Sequence, residues 1–203
     1  MNNGKNIVAA FDFDGTITYC DTLIPFLLYV GGKVKFAEKL IKLIPQYIRY
    51  KRGKLTNERT KEAFLSSFLK GYEYRKLQFL GEKFTSSILT RLVRKKMIQK
   101  IIWHQGQGHQ CVLVSASLNV YLDAWAQLHG LAVISSRLEI DHQGLVTGKL
   151  QGRNCYGREK ARRLTRWLGK HKCDYLYAYG DSSGDFEMLQ MADSRIYRGK
   201  TIG

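Results

Sequence analysis

At 203 residues and 44% hydrophobic composition, the chain can bury one good core with a small appended module, which excludes a multidomain array. The formal charge is +16, yet residues 31–100 alone hold 19 Lys and Arg against 5 Asp and Glu, so one segment is basic rather than the whole protein. Cys20, Cys111, Cys155 and Cys173 form no C-x-x-C pair, which excludes a disulfide framework and a zinc module and leaves reduced thiols as the expectation.

The polar start at residues 1–5 and the short apolar stretch behind it provide no secretory leader, and no apolar run approaches bilayer length, so a cytoplasmic protein is expected. The first predicted element is a buried parallel strand at 7–11, a continuous apolar run that ends in Asp12-Phe13-Asp14-Gly15-Thr16. From about residue 22 to 93 no strand pattern occurs. Apolar residues recur there at helical spacing, Phe36, Leu40, Ile44, Tyr47 and Ile48 and then Ala63, Phe64 and Phe68, and the breakers Gly31-Gly32, Pro45, Gly53 and Gly71 divide the segment into about four short helices. A second strand is predicted at 111–114, leading into Ser115-Ala116-Ser117, with a helix at 118–129 behind it.

Apolar runs at 131–140 and 145–150 flank Asp141-His142-Gln143-Gly144 and predict a small hairpin beside the core. A helix follows at 157–168. A third strand at 175–179 delivers Gly180-Asp181-Ser182-Ser183-Gly184-Asp185, and a last helix is predicted at 183–191. Strands alternating with helices give an α/β fold, a doubly wound parallel-sheet core interrupted by a helical insert after its first strand. The corresponding boundaries are 1–19 and 95–203 for the core and 20–94 for the insert.

In an open parallel sheet, the loops at the carboxyl ends of the strands converge on one crevice. Asp12, Asp14, Ser115, Asp181 and Asp185 all leave such ends. Carboxylates gathered at one mouth need a cation, and hard oxygen ligands favour Mg²⁺. Each residue also has a plainer reading: Asp12-x-Asp14-Gly15 as a turn, Ser115 or Ser117 as a helix N-cap, Asp185 as a first-turn acid. The five histidines have no metal-binding spacing, and Gly106-Gln107-Gly108 opens no phosphate loop.

Taken in order, Asp12-Phe13-Asp14-Gly15-Thr16, Ser115, Lys160 and Gly180-Asp181-Ser182-Ser183-Gly184-Asp185 resemble the four motifs of the haloacid dehalogenase superfamily. With a helical insert between the first two, the chain is similar to subfamily IB, the phosphoserine phosphatase-like hydrolases with a C1 cap. The resemblance implies a phosphatase in which Asp12 is the nucleophile and Asp14 the general acid and base. It further implies that Ser115 and Lys160 hold the phosphoryl group, and that Mg²⁺ is bound by Asp12, the Asp14 main chain, Asp181 and Asp185. Gly15, Thr16, Ala116 and Ser117 then border the substrate. Asp21 matches the place where the family recognises an amino-acid moiety, although it equally suits a helix N-cap. Two cations compete for the third motif, Arg158 and Lys160, and the Gly-x-x-Lys pattern favours Lys160.

The expected substrate is a small phosphomonoester, phosphoserine-like in one version. Because residues 33–44 are cationic and amphipathic, a membrane lipid phosphate such as phosphatidylglycerophosphate is the alternative, with contact to an anionic membrane surface. A non-catalytic nucleic-acid-binding protein would use the basic insert but would have no need of four carboxylates, so no nucleic-acid partner is expected.

Overall fold

The computed structural model describes residues 4–202; residues 1–3 of the polar start and Gly203 lie outside the described residues. After β1 (Ile7–Phe11) come α1 (Leu23–Gly31), α2 (Lys33–Lys51), α3 (Asn57–Leu69), α4 (Tyr74–Phe84), a wide π turn over Thr85–Leu89, and α5 (Thr90–Leu92). The chain then runs through α6 (Lys95–Gly106), β2 (Gln110–Leu118), α7 (Asn119–Leu128), β3 (Ala132–Ser136), β4 (Leu138–Ile140) and β5 (Val146–Leu150). It ends with α8 (Arg158–His171), β6 (Tyr175–Gly180), a 3₁₀ turn over Ser183–Asp185, α9 (Phe186–Gln190), β7 (Ser194–Tyr197) and β8 (Lys200–Ile202).

The main sheet has the order β3-β2-β1-β6-β7-β8, parallel except for β8. The period-2 alternation of side chains places Ala9 and Phe11 in one apolar cluster, with residues of α6 and α7, and Val8 and Ala10 in another, with residues of α8 and α9. Both faces of the sheet are therefore covered, and β1 lies at its centre. The predicted doubly wound core is the observed one.

Three expectations about elements need correction. The run 131–140 is not one hairpin arm: Ala132–Ser136 joins the main sheet parallel to β2, exposed Arg137 interrupts it, and only Leu138–Ile140 pairs with β5. Pro45 does not break its helix: the 19-residue α2 runs through it. A proline removes one backbone donor; here the packing of buried Leu43 helps hold the helix continuous. The strand β2 reaches Leu118 rather than Val114, so Ser115 and Ser117 sit in strand backbone and neither caps α7, whose N-cap position is Leu118.

The insert leaves and rejoins the core at one place, where Thr18 bridges Val93 in antiparallel fashion and the Arg94 N–H donates to the Ile17 carbonyl at 2.8 Å. Its helices close over the core along α4, which packs on α7. Gly81 makes that approach possible. A Cβ on it would lie 1.9 Å from the Val120 carbonyl oxygen, so any side chain there would push the two helices apart. Buried His104 and His109 share a 2.7 Å Nδ1–Nδ1 hydrogen bond, and His104 Nε2 meets the Tyr179 hydroxyl at 2.7 Å, so this pair forms a satisfied part of the core.

Candidate active site

The carboxyl ends of β1, β2 and β6 meet below the insert, around a cleft of about 620 Å³. Asp12 follows the last residue of β1 and is 6% exposed. One of its carboxylate oxygens accepts from Lys160 Nζ at 2.6 Å, and the other lies 3.0 Å from the Thr16 hydroxyl. That hydroxyl is also 3.1 Å from Asp181, so it bridges the ends of β1 and β6. Thr16 therefore stands behind the carboxylates; the cleft lining includes Gly15, Ala116, Ser117 and Asp21 but not Thr16.

Lys160 is the cation that the fold delivers, from the first turn of α8. It is buried and bonded to both Asp12 and Asp185, whereas Arg158 is exposed. Asp185 in turn accepts from the backbone N–H groups of Asp181 and Ser182 and from the Ser182 hydroxyl. A capping box with Ser182 thus fixes the turn that carries both acids, and the plain capping role coexists with a place in the site. Gly15 has φ 81° and a Cβ there would lie 2.3 Å from an Asp181 carboxylate oxygen, so glycine is required for β6 to bring that acid against the first loop.

The electrostatics follow from burial and pairing. Burial pushes Asp12 up to about 7, against the opposing pull of Lys160. Burial would depress Lys160, but the Asp12 and Asp185 carboxylates outweigh it and hold the ammonium charged. In Asp185 burial works upward and loses to Lys160, so its carboxyl stays below the usual range. One oxygen from each of Asp12, Asp181 and Asp185 falls within 4.8 Å of the others. Three hard carboxylate donors around one point suit Mg²⁺.

Asp14 faces a different environment. Its oxygens accept from the Thr22 N–H at 2.9 Å, the Thr22 hydroxyl at 2.6 Å and the Ser117 hydroxyl, and they are not part of the cluster formed by Asp12, Asp181 and Asp185. Burial, and secondarily Asp21, raises it to about 6 against those hydrogen bonds. Ser117 reaches it because β2 shifts register against β3 between Ser115 and Leu118, which frees Ala116 and Ser117 from pairing. Ser115 is buried with its hydroxyl accepting from the Ser117 N–H at 3.0 Å. Asp21 is exposed at the cleft and accepts from the Leu23 N–H at 2.8 Å, so it steadies the start of α1 with one oxygen.

Two cleft residues were not foreseen. Lys61 of α3 is partly buried, donates to the Ala116 carbonyl and, at 3.1 Å, to Asn154 Oδ1; burial lowers it to about 8. Asn154 also accepts from Ser136 and donates to Asn57, so it ties the core to α3. In sequence Lys61 is one of 19 cations between residues 31 and 100, and only the tertiary structure distinguishes it.

The model of the haloacid dehalogenase-like hydrolases matches residues 9–190. A Caulobacter vibrioides protein, Protein CicA, is 33% identical over 96% of this chain and 88% of its own length. A histidinol-phosphatase of Neisseria meningitidis is 25% identical, over 95% and 89% respectively. Among solved structures, a substrate-bound phosphoserine phosphatase complex shares the fold with a TM-score of 0.69 at 20% identity, over 96% of this chain and 87% of that one.

Proposed function

The chain belongs to the haloacid dehalogenase-like hydrolase family, and on that premise we propose that it is a Mg²⁺-dependent phosphatase that hydrolyses a small phosphomonoester through a phosphoryl group carried on Asp12. The observation that carries this reading is the contrast between two acids at the end of one strand. Asp12 is paired with Lys160, while Asp14 is hydrogen-bonded by Thr22 and Ser117 and raised to about 6. Acids held in different environments take different roles.

In the first step an Asp12 carboxylate oxygen attacks phosphorus, the ester P–O bond breaks, and the departing alkoxide takes a proton from Asp14. In the second, Asp14 accepts a proton from water as that water attacks phosphorus, and cleavage of the bond to Asp12 returns the carboxylate. Lys160 keeps Asp12 oriented and shares its charge, and Ser115, in the β2 backbone before Leu118, lines the cleft where its hydroxyl can meet a phosphoryl oxygen. Asp12, Asp181 and Asp185 would hold Mg²⁺, with the Asp14 main chain at the same loop. When bound, the metal supplies positive charge to the phosphoryl oxygens.

Around the cleft, Asp21 and Lys61 offer opposite charges, which favours a substrate with an amino-acid moiety, as in phosphoserine. The name of the Neisseria relative is in keeping with a small amine-bearing phosphate ester. A second reading has its own observation: Leu23, Ile24, Tyr47 and Phe64 make the upper wall apolar, which favours a phosphate ester with an apolar body, such as a membrane lipid phosphate. The two readings separate in a panel of phosphorylated amino acids and amino alcohols run beside lipid phosphates in detergent micelles. The acid and base role is tested on a soluble aryl phosphate. Asp14→Asn is expected to lower kcat by roughly 10²–10⁴-fold, and an unchanged kcat would refute it.

A further inference from the structure

Helix α2 carries more apolar surface than its own packing uses. Its inner edge is accounted for: Leu43 is buried, and the Phe36 ring meets Phe68 of α3 at 5.2 Å. A second edge is left to solvent, with Val34 73%, Ile41 66%, Ile44 49% and Ile48 43% exposed. At 100° per residue these four fall within an arc of about 80° on the helix surface. Exposed charged residues border the arc, Lys33 and Lys51 on one side and Lys35, Lys42 and Arg49 on the other, where Glu38 is the one acid among them.

We propose that α2 is an interfacial helix that seats the protein on an anionic bilayer surface. Val34, Ile41, Ile44 and Ile48 enter the acyl boundary, and the bordering lysines and arginine reach the headgroups. The charge decides the occupant. A second copy would set this helix against its own cations, in a segment with 19 basic and 5 acidic residues, whereas anionic lipid complements both the stripe and its borders. A nucleic acid would leave the isoleucines without a partner. Tyr47, on the same helix between Ile44 and Ile48, lines the cleft, so docking along the stripe puts the cleft mouth beside the lipid surface. This deepens the lipid-phosphate reading above, yet it is tested without turnover.

The full chain is sedimented with vesicles of phosphatidylcholine alone, or of phosphatidylcholine with phosphatidylglycerol at roughly three to one. Binding is expected only to the second, and it should weaken in high salt. The double variant Ile41→Glu, Ile44→Glu is expected to bind at least tenfold more weakly, and Lys42→Glu with Arg49→Glu similarly, with aryl phosphate hydrolysis unchanged in both. Those side chains are exposed, so circular dichroism should match the parent. Equal vesicle binding by parent and variants overturns the proposal. So does a dimer of the parent that the isoleucine variant dissolves, because a second copy then covers the stripe. Vesicle binding without hydrolysis of any phosphate ester would instead overturn the phosphatase reading alone.

Discussion

Asp12→Asn is expected to reduce Mg²⁺-dependent hydrolysis of an aryl phosphate by at least roughly four orders of magnitude, the scale on which removal of a covalent nucleophile acts. The fold should survive. Asparagine has nearly the same shape: its Oδ1 can still accept from Lys160 and its amide N–H can donate to the Thr16 hydroxyl, and the exchange removes a carboxylate that burial already pushes up to about 7. Lys160 keeps Asp185 as its counter-ion. Loss of turnover with an unchanged melting temperature therefore identifies a chemical role, whereas turnover within tenfold of the parent would remove Asp12 as the nucleophile.

Lys160→Met should damage stability as well as activity. The buried ammonium is the shared partner of two buried carboxylates, and methionine fills the space without the charge. Breaking a buried ion pair by removing one partner typically costs about 3–5 kcal/mol, which in a chain of this size lowers Tm by roughly 6–20 °C. Addition of Mg²⁺ should recover part of that loss, because a divalent cation held by Asp12, Asp181 and Asp185 offsets the same charges. Arg158→Met is the control: Arg158 is exposed, and little change is expected. Differential scanning fluorimetry with and without Mg²⁺ measures both effects. Equal melting of the two variants would contradict the central place given to Lys160.

The features legible in the sequence are those with local causes. The run of Ile7 to Phe11 before two acids is apolar because β1 is buried on both faces, and the same logic exposed β2 and β6, so the convergence of Asp12, Ser115 and Asp181 followed from the topology of a parallel sheet. What stayed hidden depends on distant partners. The strands β7 and β8 are short and only partly buried or exposed, and they become strands because β6 offers an edge to Ser194–Tyr197 and β7 then pairs with Lys200–Ile202. Lys61 looks like any other cation of a basic segment until α3 folds down onto Asn154. The register shift near Ser115, which turns Ser117 onto Asp14, arises from pairing with β3 and has no signature in Ser115-Ala116-Ser117 itself. Likewise the amphipathic pattern of α2 was visible, but a pattern does not say which apolar edge is packed and which remains in solvent.

The central claim is that Asp12 carries the phosphoryl group during turnover. The most direct measurement is acid quenching of the Asp14→Asn variant during reaction with an aryl phosphate and Mg²⁺, followed by mass spectrometry of the peptide containing residues 7–16. With the general base for the second step removed, the peptide is expected to gain the mass of one phosphoryl group, located on Asp12 and absent when Asp12 is also replaced by asparagine. Release of phosphate with no phosphorylated peptide at any quench time, or a label that persists in the Asp12→Asn background, would contradict it.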